Sequence, residues 1–298
     1  SIYFLNTLTY DDRISVNAGL RYLTVDDDGA DDDKFIYDVG SAYTFLQTGT
    51  TLRATYEQSY TRNMGFLFFI NQFGQNKTGN LPIKDIETWE IGIDQRFLGN
   101  NGIANLTYFE TDSEGMPTFG GSFTGDPFVA TKESEIKGVE LFVAVKPMET
   151  LRLAGSFTYL DSEDTGFNGQ DPINVGQTNV PVSPKQAALS AEWQATPNLR
   201  FFSLATWEDG GEQTRFSLVG VDRVRTETKE ASFFRWNLGA SYRVDNHLKV
   251  TGKVNNILDE RDFGFSSTTV DSLGNVTITE NKGDDPGRFY GIAIEWRL

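Results

Sequence analysis

Three arginines, Arg215, Arg223 and Arg225, fall close together in a chain whose formal net charge is −16. A guanidinium presents a planar fork of donors that fits carboxylate- or phosphate-like oxyanions through charge-assisted hydrogen bonds. Their chemistry is anion recognition, or pairing with Asp209, Glu212, Asp222 and Glu227 of the same stretch, which contributes little at a surface. A second group is Phe66, Phe68 and Phe69, inside the run Met64 to Ile70. Large rings in a connecting segment either pack loop on loop or form an aromatic surface for a ligand. A third is the acidic stretch 26–33, whose carboxylates suit Ca²⁺ in type but read first as a solvated loop, so no metal is assigned. The chain has no Cys and one His, His247. The lack of Cys excludes Cys-ligated metals, and His247 falls in an expected short turn, 245–247, away from the long loops, so no Ser-His-Asp arrangement or His-based metal site is expected and no catalytic residue, enzyme activity or cofactor is assigned. The acidic balance also disfavours nucleic acid, which needs a basic surface.

The elements that must position these residues are strands. No apolar run approaches 18 residues, so no helix spans a membrane. Mean hydropathy is −0.38, which a β-barrel with a polar interior tolerates. In the closing stretch, 287–298, Tyr290, Ile292, Ile294, Trp296 and Leu298 alternate with Phe289, Gly291, Ala293, Glu295 and Arg297. Period two places the sets on opposite sheet faces. Phe234, Trp236, Leu238, Ala240, Tyr242 and Val244 alternate in the same way with Arg235, Asn237, Gly239, Ser241 and Arg243. Ile14, Val16, Ala18, Leu20 and Tyr22 oppose Ser15, Asn17, Gly19 and Arg21. The stretch 199–207 alternates poorly, since Phe201 and Phe202 put bulk on both faces. Aromatic residues gather at strand ends, among them Tyr10, Tyr22, Phe45, Trp89, Phe97, Trp193, Tyr242 and Trp296, as in the girdles of a membrane barrel.

About thirteen such strands of roughly 8–13 residues are expected, near the 9–11 needed to cross a bilayer at a tilt. Their connections alternate short and long. Short turns fall at 11–12, 48–49, 99–102, 147–149, 196–198 and 245–247; long loops at 26–33, 62–85, 112–135, 161–184, 208–230 and 259–286, the last with a small hairpin around Leu273, Gly274 and Asn275. Outer-membrane barrels are built this way, with short periplasmic turns and long outer loops. The fold class is all-β, an antiparallel transmembrane β-barrel of outer-membrane type. The last strand then runs inward, and counting back so does the first. An odd count starting outside, in a chain that opens directly on Ile2-Tyr3-Phe4-Leu5, implies that an N-terminal part is missing, since an open sheet edge is not viable in lipid.

Several stretches resemble the C-terminal half of the TonB-dependent outer-membrane receptors. Val254-Asn255-Asn256-Ile257-Leu258-Asp259-Glu260-Arg261-Asp262-Phe263 resembles that family's penultimate-strand motif, and Pro286-Gly287-Arg288 its entry to the last strand. Thr88-Trp89-Glu90-Ile91-Gly92-Ile93, Lys137-Gly138-Val139-Glu140-Leu141 and Phe157-Thr158-Tyr159-Leu160-Asp161 resemble further strand motifs in the same order. The chain departs from the family in ending on Leu298, where Phe is usual, and in having no counterpart of the plug or TonB box. The resemblance implies that residues 1–298 are the C-terminal portion of a barrel of about twenty-two strands, with the plug and first strands absent. It implies energy-coupled uptake of a scarce nutrient, most commonly a ferric siderophore, in the bacterial outer membrane. Implied partners are an extracellular small-molecule ligand, outer-membrane lipid and lipopolysaccharide, and the inner-membrane TonB complex acting through the missing plug. Ligand contact is expected from Phe66, Phe68, Phe69, Arg215, Arg223 and Arg225. The alternatives are a passive porin-like channel and a surface-binding or structural barrel.

Overall fold

A computed structural model describes residues 1–25, 32–61, 84–121, 127–168, 183–219, 222–270, 273, 275–284 and 287–296. Among these the regular structure is almost entirely strand. In order they are β1 (Ile2–Tyr10), β2 (Ile14–Val25), β3 (Asp32–Phe45), β4 (Thr50–Thr61), β5 (Lys84–Phe97), β6 (Gly102–Gly121), β7 (Pro127–Met148), β8 (Leu151–Asn168) and β9 (Lys185–Thr196). There follow β10 (Leu199–Glu208), β11 (Glu212–Val219), β12 (Asp222–Glu230), β13 (Phe233–Arg243), β14 (Leu248–Asn255), β15 (Asp262–Val270), β16 (Val276–Asp284) and β17 (Phe289–Trp296). Thirteen form one antiparallel sheet in the order β1 to β10, then β13-β14-β17; the other four form a sheet in the order β11-β12-β15-β16. The chain divides into two compact units, Ser1–Ile93 with Thr107–Gly138 and Asp161–Val180, and Asp94–Leu106 with Val139–Leu160 and Pro181–Leu298.

In the first unit the β1–β2 register sets Ile2 against Tyr22, Phe4 against Leu20 and Leu8 against Val16. The β2–β3 register sets Tyr22 against Phe35 and Ile14 against Tyr43. Directly opposed residues share a face, so the apolar sets expected from alternation form one continuous face. Rings line its margin: Tyr22 on Phe35 at 4.8 Å, Tyr37 on Tyr56 at 5.6 Å and Trp89 on Tyr108 at 5.1 Å. The other face is polar. There Arg53 donates to Glu90 at 3.3 Å and to Thr107, and Thr88 bonds Thr111 at 2.9 Å. Gly92 leaves room for Arg53, whose Nε is 2.6 Å from where a Cβ would stand.

In the second unit the registers β8–β9–β10–β13–β14–β17 are continuous apart from one irregularity between Leu199 and Arg200. They set Ile292, Gly252, Ala240, Phe201, Trp193 and Leu151 in one row. Phe201 is therefore on the apolar face, and Phe202, opposite Gly239 and Glu192, on the polar one. The mixed strand 199–207 fits because Gly239 has no side chain where the Phe202 ring lies; a Cβ there would stand 2.1 Å from the ring.

Among the described residues no core forms beneath the apolar face: the buried apolar side chains are Ile36 and Phe233, whereas Tyr290, Ile292, Ile294 and Trp296 are 71, 80, 71 and 62 % exposed. Burying an Ile stabilises a water-soluble protein by roughly 1.5–3 kcal/mol. A sheet that forgoes this gain across whole strands is suited to a solvent other than water.

The structure revises several expected boundaries. The stretch 112–135 is strand over 112–121 and 127–135, and 161–168 extend β8, because β6, β7 and β8 run for 20, 22 and 18 residues; 169–182 lie outside the described residues. At about 3.3 Å per residue these outreach a hydrocarbon layer of about 30 Å even when tilted. The stretch 208–230 holds β11 and β12 rather than a loop, and the hairpin expected near 273–275 is the larger pair β15–β16. The stretch 248–258 shortens to β14. Of the expected closing strand 287–298, β17 takes Phe289–Trp296, and 297–298 lie outside the described residues.

Candidate functional site

The second sheet is assembled from two insertions in the first. Hairpin β11–β12 lies between β10 and β13 in sequence, and hairpin β15–β16 between β14 and β17. The hairpins join through β12 and β15, with Arg225 opposite Val270 and Glu227 opposite Thr268. Segments expected to be separate loops thus form one platform of paired backbone.

Its first hairpin is anchored by small residues and ion pairs. Gly210 has no tolerance for a side chain, since a Cβ would come within 1.7 Å of the Glu230 carbonyl oxygen. The Glu230 N–H donates to the Gly211 carbonyl at 2.9 Å and the Ala231 N–H to the Gly264 carbonyl at 2.9 Å, tying one hairpin to the other. Lys185 reaches Asp209 at 3.2 Å. Lys229 pairs with Glu212, and that hydrogen bond, followed by the carboxylate's charge, raises the Lys229 pKa above its ordinary value.

The second hairpin is held by a knot at 256–261. Asn256 is 2 % exposed and has φ +51°, a conformation in which Asn is over-represented. Its Nδ2 donates to the Glu260 carbonyl at 2.8 Å, its Oδ1 accepts from the Glu260 N–H at 3.1 Å, and its own N–H donates to Asn237 Oδ1 at 2.9 Å. Asp259, also at positive φ, accepts from the Arg288 N–H at 2.8 Å and from Arg261 at 3.2 Å. Those contacts, the Arg288 amide first and then the Arg261 guanidinium, hold its carboxyl below the usual range despite the opposing effect of desolvation. Gly287, at φ +71°, lies against Asp259 Oδ1, which would be 2.7 Å from a Cβ. The knot sets where the chain leaves β14 and where it re-enters β17. In the sequence these residues read only as a resemblance motif, which misses their role; the signal is a polar Asn–Asn pair ending an apolar strand.

The sequence-derived ligand residues divide as follows. Phe66, Phe68 and Phe69 lie outside the described residues. Arg215 is on β11 opposite Thr226; Arg223 and Arg225 are on β12 opposite Leu218 and Phe216. One row of the platform therefore reads Phe216, Arg225, Val270, Val276 across all four strands. Position 215 falls one residue out of step with that row, and positions 223 and 225 in step with it. On the outermost strand Val276 and Ile278 are exposed. The acidic stretch 26–33 is undescribed over 26–31. Among the described residues no group of His, Cys, Asp or Glu is placed to hold a metal ion, and no helix is long and apolar enough to cross a membrane.

Comparison with known proteins places this geometry in context. The family model for "TonB dependent receptor-like, beta-barrel" matches residues 1–257. The ferrienterobactin receptor of Escherichia coli K12 is 26% identical over 219 residues, covering 69% of this chain and 28% of that protein. The ferric enterobactin receptor PirA of Pseudomonas aeruginosa is 25% identical over 249 residues, covering 79% and 31%. The chain thus spans about three tenths of the length of these relatives. Among solved structures the copper transporter OprC superposes with a TM-score of 0.71 at 14% identity, over 99% of this chain and 47% of that one.

Proposed function

Because the chain belongs to the TonB-dependent receptor-like β-barrel family, whose members are transport receptors of the bacterial outer membrane rather than enzymes, we propose that it is the C-terminal part of the wall of a receptor importing a ferric siderophore. One observation carries the wall assignment: a thirteen-stranded sheet whose apolar face is exposed and which has almost no buried apolar side chain among the described residues. Lipid is the solvent such a face fits. The polar face then lines the lumen, where Arg53, Glu90 and Thr107 remain solvated or meet another part of the receptor.

The cargo reading draws on two relatives that are both named as receptors for ferric enterobactin. In this reading the plug and the first strands belong to the protein outside residues 1–298, and the inner-membrane TonB complex acts through that plug. Thirteen antiparallel strands leave the first and last running the same way. Antiparallel closure therefore calls for an odd number of further strands, consistent with a barrel of even count. The platform and its neighbouring outer segments make the ligand contact, with Arg215, Arg223 and Arg225 answering an anionic chelate and Phe66, Phe68 and Phe69 its apolar parts.

The test is growth under iron limitation of a strain lacking its own enterobactin receptors, carrying the full-length gene. Ferric enterobactin should support growth, and deletion of the TonB protein should abolish it. Growth independent of TonB would point to the passive channel instead, and no growth on any ferric siderophore would remove the cargo assignment. Within a positive result, Arg215→Ala, Arg223→Ala and Arg225→Ala together should weaken binding at least about tenfold at low salt and less at high salt, because exposed charge contacts are screened over about 8–10 Å. If the Phe66, Phe68 and Phe69 changes dominate at all salt concentrations, the recognition is apolar.

A further inference from the structure

The polar face holds one arrangement that strand pairing alone does not explain. In the β13–β14 register Arg243 stands directly opposite Lys249, and like charges at opposed cross-strand positions are mutually destabilising. Lys249 is answered on its far side by Glu295, its partner in the β14–β17 register, which accepts from it at 3.2 Å. The Arg243 side chain has no ion pair or hydrogen bond among the described residues. The nearby carboxylate of Asp245 is engaged in its own turn, accepting from the His247 and Leu248 N–H groups at 2.7 and 2.8 Å. A third cation, Arg200 on β10, is paired with Glu192.

These side chains converge on a pocket of about 270 Å³, lined by Arg200, Arg243 and Lys249 with Ser241, Gln194 and Asn198, and bounded by Glu295 and the 245–247 turn. It lies at the short-turn end of the sheet. Its volume is below the roughly 300–1,000 Å³ of sites that enclose a whole organic ligand, so it suits a small anion or the anionic end of a longer group. Ser241 and Asn198 add neutral donors around the cations, whereas the Gln194 amide donates to the Thr196 and Leu199 carbonyls at 2.6 and 3.4 Å.

We propose that this pocket is an oxyanion site, in which a carboxylate or phosphate-type group sits between Arg243 and Lys249 and relieves their opposition. The guanidinium of Arg243 supplies the planar fork, the Lys249 ammonium the second charge. Two sources share this chemistry: a free oxyanion, and an acidic side chain of the same protein from outside residues 1–298. The site is independent of the cargo reading.

The experiment uses the full-length protein, crystallised from selenate, whose anomalous signal marks an oxyanion, together with phosphate titrations of the protein and of Arg243→Gln and Lys249→Gln at constant ionic strength. A selenate within hydrogen-bond reach of both cations, with phosphate affinity reduced at least about tenfold in each variant, establishes a free-anion site. A carboxylate from outside residues 1–298 in the same place, with no phosphate binding until that acid is changed to its amide, establishes the internal source. Two results overturn the proposal. One is a pocket holding only water, with Arg243 turned onto Asp245 or Glu295. The other is phosphate binding unaltered by either variant. A purely structural role makes a separate demand: Arg243→Gln removes the like-charge opposition, so it should then raise stability and change no anion binding.

Discussion

Asn256 uses its side-chain amide and its backbone N–H in hydrogen bonds, from a site closed to water. Asn256→Ala leaves the Glu260 N–H and carbonyl unanswered, and an unsatisfied buried polar group costs about 1–3 kcal/mol. The expected outcome is a lowered unfolding temperature of the full-length barrel and a more mobile spin label at position 278 on β16. Asn256→Gly keeps the positive φ but loses the same bonds, so it should fall close to Ala; behaviour like the parent would assign the effect to backbone conformation alone. Asp259 gives a pH dependence with a definite sign. Its folded pKa lies below the ordinary carboxylate value of about 3.9, so its contribution is complete above that value and is lost as pH falls through the lower folded pKa. Label mobility on β16 should therefore be flat above about pH 5 and rise in the acid range, and Asp259→Asn should be mobile throughout. An unchanged acid transition in Asp259→Asn would place the titrating group elsewhere. Among the candidate ligand residues, the arginines are legible as a positive cluster in an acidic chain. Their register is not, because which position opposes which depends on the turn between β11 and β12, and the sequence there does not specify it.

Strands β2, β13 and β17 are legible because one face meets an apolar medium and the other a polar one, and only that contrast writes a period of two into the sequence. The outer parts of β6, β7 and β8, and β11, β12 and β15, carry little such contrast, and β16 carries it only over Val276 to Thr279. Where both faces meet water, a strand can be polar throughout. Its existence then depends on a neighbour to hydrogen-bond, which is a tertiary fact. Pro117 and Gly115, the latter at φ +72°, add turn-like chemistry inside β6 and strengthen the loop reading that the structure corrects. The same contrast gives an element-level expectation. Ile292→Lys on β17 places a charge on the apolar face and should destabilise the barrel in lipid by about 2–4 kcal/mol if it sits near the bilayer midplane. Ala293→Lys, one residue on, should cost far less. Heat-modifiability on gels and urea unfolding in vesicles measure both; equal costs would mean that β17 does not separate lipid from water.

On its own the 298-residue polypeptide has two edge strands, β1 and β17, whose outer backbone groups have no partner in the sheet order among the described residues, and a broad exposed apolar face. Unpaired edges and large apolar surfaces drive association. Refolded without detergent, it should aggregate, and a sharp cooperative melt of a detergent-free monomer would contradict this. The full-length protein should instead fold in a bilayer with both edges paired. The most direct test is residue-by-residue accessibility of spin labels at positions 289–296 in the full-length protein in lipid vesicles, measured with oxygen as the lipid-soluble relaxant and a nickel chelate as the water-soluble one. The expected result is a period of two, with oxygen dominating at 290, 292 and 294 and the chelate gaining at 291, 293 and 295. A uniform profile, or nickel access equal at 292 and 293, would contradict the assignment of this sheet as a lipid-facing wall.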